Sequence, residues 1–275
     1  MQHLVTLVYA ITQANNYGWG SIETIGLFTA AGVLLAAFVG WEARAKDPLM
    51  PFSLFRLRTL VGANIASFIL GTAIFGMFLM LTLYMQQVLG YSPMKTGVAY
   101  LAVAGTAILW SAVAAQLVTR VGVKPVLIVG MTALTAGLVY FTQVSVGGSY
   151  WTDLLPGLLV IAVGLGFSFV PISIAALAGV QPAEAGLASG LFNTTQQIGG
   201  ALGIAALSAI ATSTTESDVS TGTAPAFALT NGFQNAFIAG AIVGFAGILV
   251  AIFVVNRRDL EQEVPEVEPA FEQAA

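Results

Sequence analysis

The chain has 275 residues, of which 57% are hydrophobic and 8% charged, with a formal net charge of −4. A soluble domain of ordinary composition carries about a quarter charged residues, so the composition excludes that class and indicates an all-α integral membrane protein. The absence of cysteine and the single histidine, His3, exclude disulfides, thiolate metal sites and paired-histidine centres, and the acidic balance offers no basic footprint for nucleic acid.

In chain order, Leu4 to Ala14 is apolar but short, and it reads as a truncated helix. A signal peptide fits poorly, because no basic residue precedes the run and no small-residue cleavage site closes it cleanly. Glu23 to Trp41 forms a first complete span. Six charge-free runs follow: Thr59 to Met94, Thr96 to Thr119, Pro125 to Thr152, Leu154 to Ala183, Ala185 to Thr215 and Val219 to Asn256. Each exceeds the roughly 20 residues that carry a helix across about 30 Å of hydrocarbon. The helix is also the open-chain form that satisfies every backbone group in lipid. The expected organisation is therefore linker helices in 1–41, a loop in 42–58, a six-helix bundle in 59–256 and an acidic tail in 257–275. The tail contains Pro265 and Pro269 and reads as a solubilising end.

If the chain changes sides at each span, Arg44, Lys46, Arg56, Arg58, Arg120, Lys124, Arg257 and Arg258 share one face, and Lys95 alone takes the other. Basic residues concentrate in cytoplasmic loops. The loop at 42–58 and the C-terminus are thus expected in the cytoplasm, with connections at 86–95, 147–153 and 213–231 outside.

Two spans are patterned. Along 64–86, Asn64, Phe68, Gly71, Phe75, Phe78, Thr82 and Gln86 recur at steps of three and four, an aromatic stripe with polar ends. Packing between helices is one reading of it. A face for bulky apolar or cationic compounds is the other. The stretch "GLASGLFNTTQQIGGALGIA", residues 186–205, places five polar side chains in a row inside an apolar run. At ~100° per residue, Gly186, Ser189, Asn193, Gln196, Gly200 and Gly203 share an arc of about 100°, with Gln197 at its edge and Leu187, Leu191, Ile198, Leu202 and Ala205 opposite. Thr194 and Thr195 lie off it, with hydroxyls free to bond the preceding turn. Such a face loses hydrogen bonds against lipid, so it meets either another helix or a watery cavity. Close helix packing is the expected role of Gly186, Gly190, Gly199 and Gly203, because small residues let helix backbones approach. For Asn193 and Gln196, interhelical bonding and substrate orientation are both open.

Between these spans, "GLGFSFVPIS" carries Gly164, Gly166, Phe167 and Pro171. Proline removes a helical hydrogen bond, so a bend is expected there, with gating as its functional reading. No Asp, Glu, Lys, Arg or His lies deep in any span. A proton relay needs such a group, a serine protease would need a base beside Ser168 or Ser189, and a metalloprotease would need paired histidines. Enzymatic readings therefore fail, and no cofactor or metal is expected.

The stretch 186–205 resembles the penultimate-helix signature of the major facilitator superfamily, in its fourteen-helix drug/proton antiporter branch, although many relatives carry Arg where Gln196 stands. "AAQLVTRVGVKPVLIVG" resembles the second copy of the superfamily's G-x-L-x-D-R-x-G-R-R loop, with Leu117, Arg120, Gly122 and Lys124 matching and Thr119 at the acidic position. "YGWGSIET" and "WEARAKDPLMPFSLFRLRTL" resemble the branch's central helix pair and its entry into the C-terminal bundle. The resemblance implies a C-terminal six-helix bundle of two inverted three-helix repeats, preceded by part of the central pair. Its first, second, fourth and fifth helices would flank a substrate cavity. Asn64, Phe68, Phe75, Phe78, Phe167, Ser189, Asn193, Gln196 and Gln197 would then line that cavity. The implied function is multidrug efflux across a bacterial plasma membrane, with lipid and small apolar or cationic compounds as partners and protons carried by an N-terminal half. Rivals are a facilitator for another small solute, a truncated membrane protein without transport, and a half-transporter needing a partner chain.

Overall fold

The computed structural model describes residues 21–42, 44 and 57–253. The expected short helix at Leu4 to Ala14, most of the 42–58 loop and the 257–275 tail lie outside the described residues.

Helix α1, Ile22–Glu42, corresponds to the first complete apolar run. After it come α2 (Arg58–Leu83), extended by a π-helical turn at Tyr84–Val88, then the short α3 (Pro93–Ala99) and α4 (Leu101–Val121). The chain continues through α5 (Val123–Phe141), α6 (Leu155–Leu177), entered by a second π turn at Tyr150–Leu154, α7 (Ala185–Ser220) and α8 (Pro225–Phe253). Among the described residues, six helical segments are long and apolar enough to cross a membrane, and the chain is a multi-pass membrane protein. The turn between α4 and α5 is a single residue. Gly122 makes it at φ 86°, a left-handed conformation that glycine adopts without steric cost.

Two sets of three helices, α2, α4, α5 and α6, α7, α8, interlock. The α2 helix packs on α7 and α8 of the other set, and α6 packs correspondingly on α4 and α5, while α5 and α8 lie against each other. Exchanging the two sets leaves this pattern of neighbours unchanged. The core between them is apolar: Leu70, Met77 and Leu81 of α2, Leu127, Met131 and Leu134 of α5, Ile161 of α6 and Phe237 of α8 are all fully buried. By contrast α4 is poorly covered, with Val103, Ala114 and Val118 as its buried residues.

Helix ends and charge-free runs do not coincide, which corrects the expected connections: α5 stops at Phe141, so the connection expected at 147–153 lies at 142–149. The 213–231 loop is mostly helix, because α7 runs to Ser220 and α8 starts at Pro225. Polar side chains hold these ends together: Asn231 donates to the Asp218 carboxylate at 2.7 Å, Asn235 to Thr214 Oγ1 at 3.3 Å, and Thr215 to the Ala228 carbonyl at 3.3 Å. Likewise α3 absorbs Lys95, so the connection after α2 shrinks to 89–92. Below the same end of the bundle, the 142–149 connection is strapped down. Tyr84 donates to the Ser145 carbonyl at 2.7 Å and Gln234 to the Val144 carbonyl at 2.7 Å.

Candidate functional site

The contact between α2 and α7 organises the candidate site. These helices run parallel, since Ser67 Oγ donates to the Phe192 carbonyl at 3.4 Å and, further along both, Thr72 Oγ1 donates to the Gly199 carbonyl at 3.0 Å. Backbones touch here because side chains are absent. A Cβ at Gly199 would overlap the Phe68 carbonyl, one at Gly203 the Thr72 carbonyl, and one at Gly71 the Gln196 carbonyl. Gly200 is covered by the Phe75 ring, 2.6 Å from where its Cβ would stand. Association in lipid relies on such packing and on hydrogen bonds, since tails are as apolar as the helices.

The arc grouped on the helical wheel is thus divided. Gly199, Gly200 and Gly203 are buried against α2, whereas Gly186 and Gly190 meet nothing within 4 Å. On the open side with them stand Asn193, Thr194 and Gln197, all exposed, and Ser189 and Gln196, half-buried at its edge. Asn193 Nδ2 donates to the Ser189 carbonyl at 3.0 Å and Ser189 Oγ to the Ala185 carbonyl at 2.9 Å, both within α7. Neither polar group reaches another helix.

The α2 stripe is also divided. Asn64 is buried at 8% exposure, donates to the Leu60 carbonyl at 2.9 Å, and has a carbonyl oxygen without a partner. Phe68 is half-buried, and Phe75 is exposed beside the α7 stripe. Phe78 stacks edge-on against Tyr100 with ring centroids 5.0 Å apart, and Tyr100 donates to the Phe78 carbonyl at 3.0 Å. Phe78 therefore ties α2 to the start of α4.

In α6, Phe167 is buried and stacks edge-on against Trp110 at 5.7 Å. Gly166 admits Trp110 and Ser111 of α4, and Gly164 admits Leu134 of α5. The helix continues through Pro171, which is buried. Arg120 is exposed at the end of α4, and Lys124 follows the Gly122 turn in the first turn of α5. Two contributors escaped the sequence reading. Phe169 of α6 is 44% exposed and stacks against Phe192 of α7 at 5.9 Å. Its place two residues before Pro171, and that of Phe192 beside Asn193, were the available signals. No group of three or more metal-ligating side chains occurs among the described residues.

The Major Facilitator Superfamily profile matches residues 7–204. The puromycin resistance protein pur8 of Streptomyces alboniger is 36% identical over 227 residues, 81% of this chain and 45% of that protein. The tetracenomycin C resistance and export protein of Streptomyces glaucescens is 34% identical over 207 residues, 73% of this chain and 37% of that one. The cephamycin export protein CmcT of Amycolatopsis lactamdurans is 32% identical over 256 residues, 92% of this chain and 50% of its own length. The chain thus spans half or less of the curated relatives it matches. Interlocked helix sets, a glycine seam and these similarities agree: the chain belongs to the major facilitator superfamily.

Proposed function

We propose that the chain supplies the C-terminal half of a proton-coupled multidrug exporter in a bacterial plasma membrane, with its C-terminus in the cytoplasm. One observation carries this reading: Asn193, Thr194 and Gln197 stand exposed in a membrane-spanning helix, with Gly186 and Gly190 open beside them. Polar groups that meet no other helix of the bundle would lose hydrogen bonds against lipid, and so call for a hydrated cavity. Phe75 and Phe169 bring aromatic surface near that stripe, which suits apolar or cationic compounds. The drug-resistance and export names of the relatives support the same reading. Proton coupling is assigned to an N-terminal half, because the charged residues among the described spans sit at their ends.

The cysteine-free background allows a direct test. Asn193→Cys is expected to react with a small hydrophilic thiol reagent in membranes, and ethidium should slow that reaction. Ile198→Cys, on the opposite side of α7, should stay inert. An unreactive Asn193→Cys, or one that ethidium leaves unprotected, defeats the reading.

A further inference from the structure

Asn64 and Asn193 are wired alike. In each, Nδ2 donates to the carbonyl four residues earlier, Leu60 at 2.9 Å and Ser189 at 3.0 Å. Only the amide nitrogen can face a carbonyl oxygen, so this contact fixes the orientation of both carboxamides. Each amide keeps its second N–H, and each is left with an oxygen that no donor among the described residues meets. Asn64 Oδ1 is fully enclosed and unpartnered, and no donor among the described residues meets Asn193 Oδ1. Nearby hydroxyls are spent in the same direction: Ser189 on the Ala185 carbonyl, and Thr72 on the Phe68 and Gly199 carbonyls.

The parallel register, Ser67 beside Phe192, places Asn64 about level with Ser189, one turn from Asn193. This end of the face therefore presents two carboxamide oxygens that no donor among the described residues meets, one of them buried. A buried acceptor without a donor is rare in folded proteins and calls for an explanation. A ligand that brings the donor supplies one.

We propose that Asn193, with Asn64 as the deeper acceptor, selects aromatic compounds that carry an N–H or O–H donor over those whose donors are blocked. The inference rests on the drug-facing reading of the α7 stripe and adds to it a rule of selection. Asn193 makes first contact because it is exposed. Asn64 lies deeper, between Ser67 and the buried Leu60–Ala188 contact, and accepts from a ligand that parts α2 from α7 there.

The test uses two dyes that share a cationic xanthene core: rhodamine 6G, whose aryl nitrogens each bear a hydrogen, and tetramethylrhodamine ethyl ester, whose aryl nitrogens bear none. Binding of each to the 275-residue chain in lipid nanodiscs is read by fluorescence anisotropy. Rhodamine 6G should bind about tenfold more tightly, the scale of one hydrogen bond in a site that excludes water. Asn193→Leu should cut the ratio of the two affinities to about threefold, and Asn193→Leu with Asn64→Leu should bring it to about one. The ratio is measured within one preparation, so a partly misfolded variant leaves it unchanged. Equal binding of both dyes by the unmodified chain, or a preference that survives the double substitution, overturns the selection rule and leaves the drug-facing reading standing. Failure of both dyes to bind overturns the two together.

Discussion

Gly203 and Gly190 are thirteen positions apart on one helix, and their surroundings are opposite. A Cβ at Gly203 strikes the Thr72 carbonyl, which is backbone and cannot swing aside, while a Cβ at Gly190 meets empty space. Gly203→Ala should therefore destabilise the chain by ~1–3 kcal/mol through overpacking. Gly190→Ala should be neutral or stabilising by up to ~1 kcal/mol, the difference in helix propensity. Thermal unfolding of the two variants in detergent separates them, and equal melting temperatures would refute the seam. At this scale the sequence was only half legible. Its four-residue glycine spacing announces close packing without saying which turns have a neighbour. The wheel placed Gly186, Asn193 and Gly203 on one arc, yet α2 packs along the side of α7 that carries Ala188, Gly199 and Gly203 and leaves Gly186 and Gly190 open.

Helices themselves were legible from charge alone. Lipid tolerates neither exposed backbone nor unpaired charge, so each uninterrupted apolar run has one available form. Hydropathy reports where lipid ends, however, and not where helix ends. With 36 residues, α7 is about 54 Å long at 1.5 Å per residue, well beyond the ~30 Å hydrocarbon layer. Its last two turns are sustained by Asp218, Thr214 and Thr215 bonding to α8, contacts between residues that the sequence does not show to be adjacent. Single cysteines should reveal the sidedness of this projection. Ser217→Cys at the end of α7 should label from outside intact cells with an impermeant reagent, and Val121→Cys at the end of α4 should label only after permeabilisation. The reverse pattern would invert the proposed orientation.

For the whole molecule, the interlocked pair of three-helix sets was expected from a resemblance and is visible as exchangeable helix contacts. Invisible beforehand was the unequal covering of the helices, with α4 and the stripe-bearing part of α7 left open. Coupling belongs to this scale as well. The bundle's described charged side chains, Arg58, Lys95, Arg120, Lys124, Asp153, Glu184, Glu216 and Asp218, all stand at helix ends or turns. A proton crossing the bilayer needs a group within it. Vesicles containing this chain alone, given an imposed pH gradient, should therefore show no gradient-driven ethidium movement. Movement that follows the gradient would place the relay inside this bundle.

The uninterrupted course of α7 has a mechanical meaning. A single helix joins the acidic hairpin at Glu216 and Asp218 to the polar stripe at Asn193 and to the glycines that grip α2. An α-helix without a break bends gently at most, so it acts as a stiff lever whose arm on one side of the membrane cannot tilt alone. Force applied to the hairpin, by a bound antibody fragment or a crosslink between Asn231 and Asp218, reaches the stripe about 35 Å away through backbone hydrogen bonds. The stripe proposed to face the drug is in this way under the hand of whatever touches the far end of the helix.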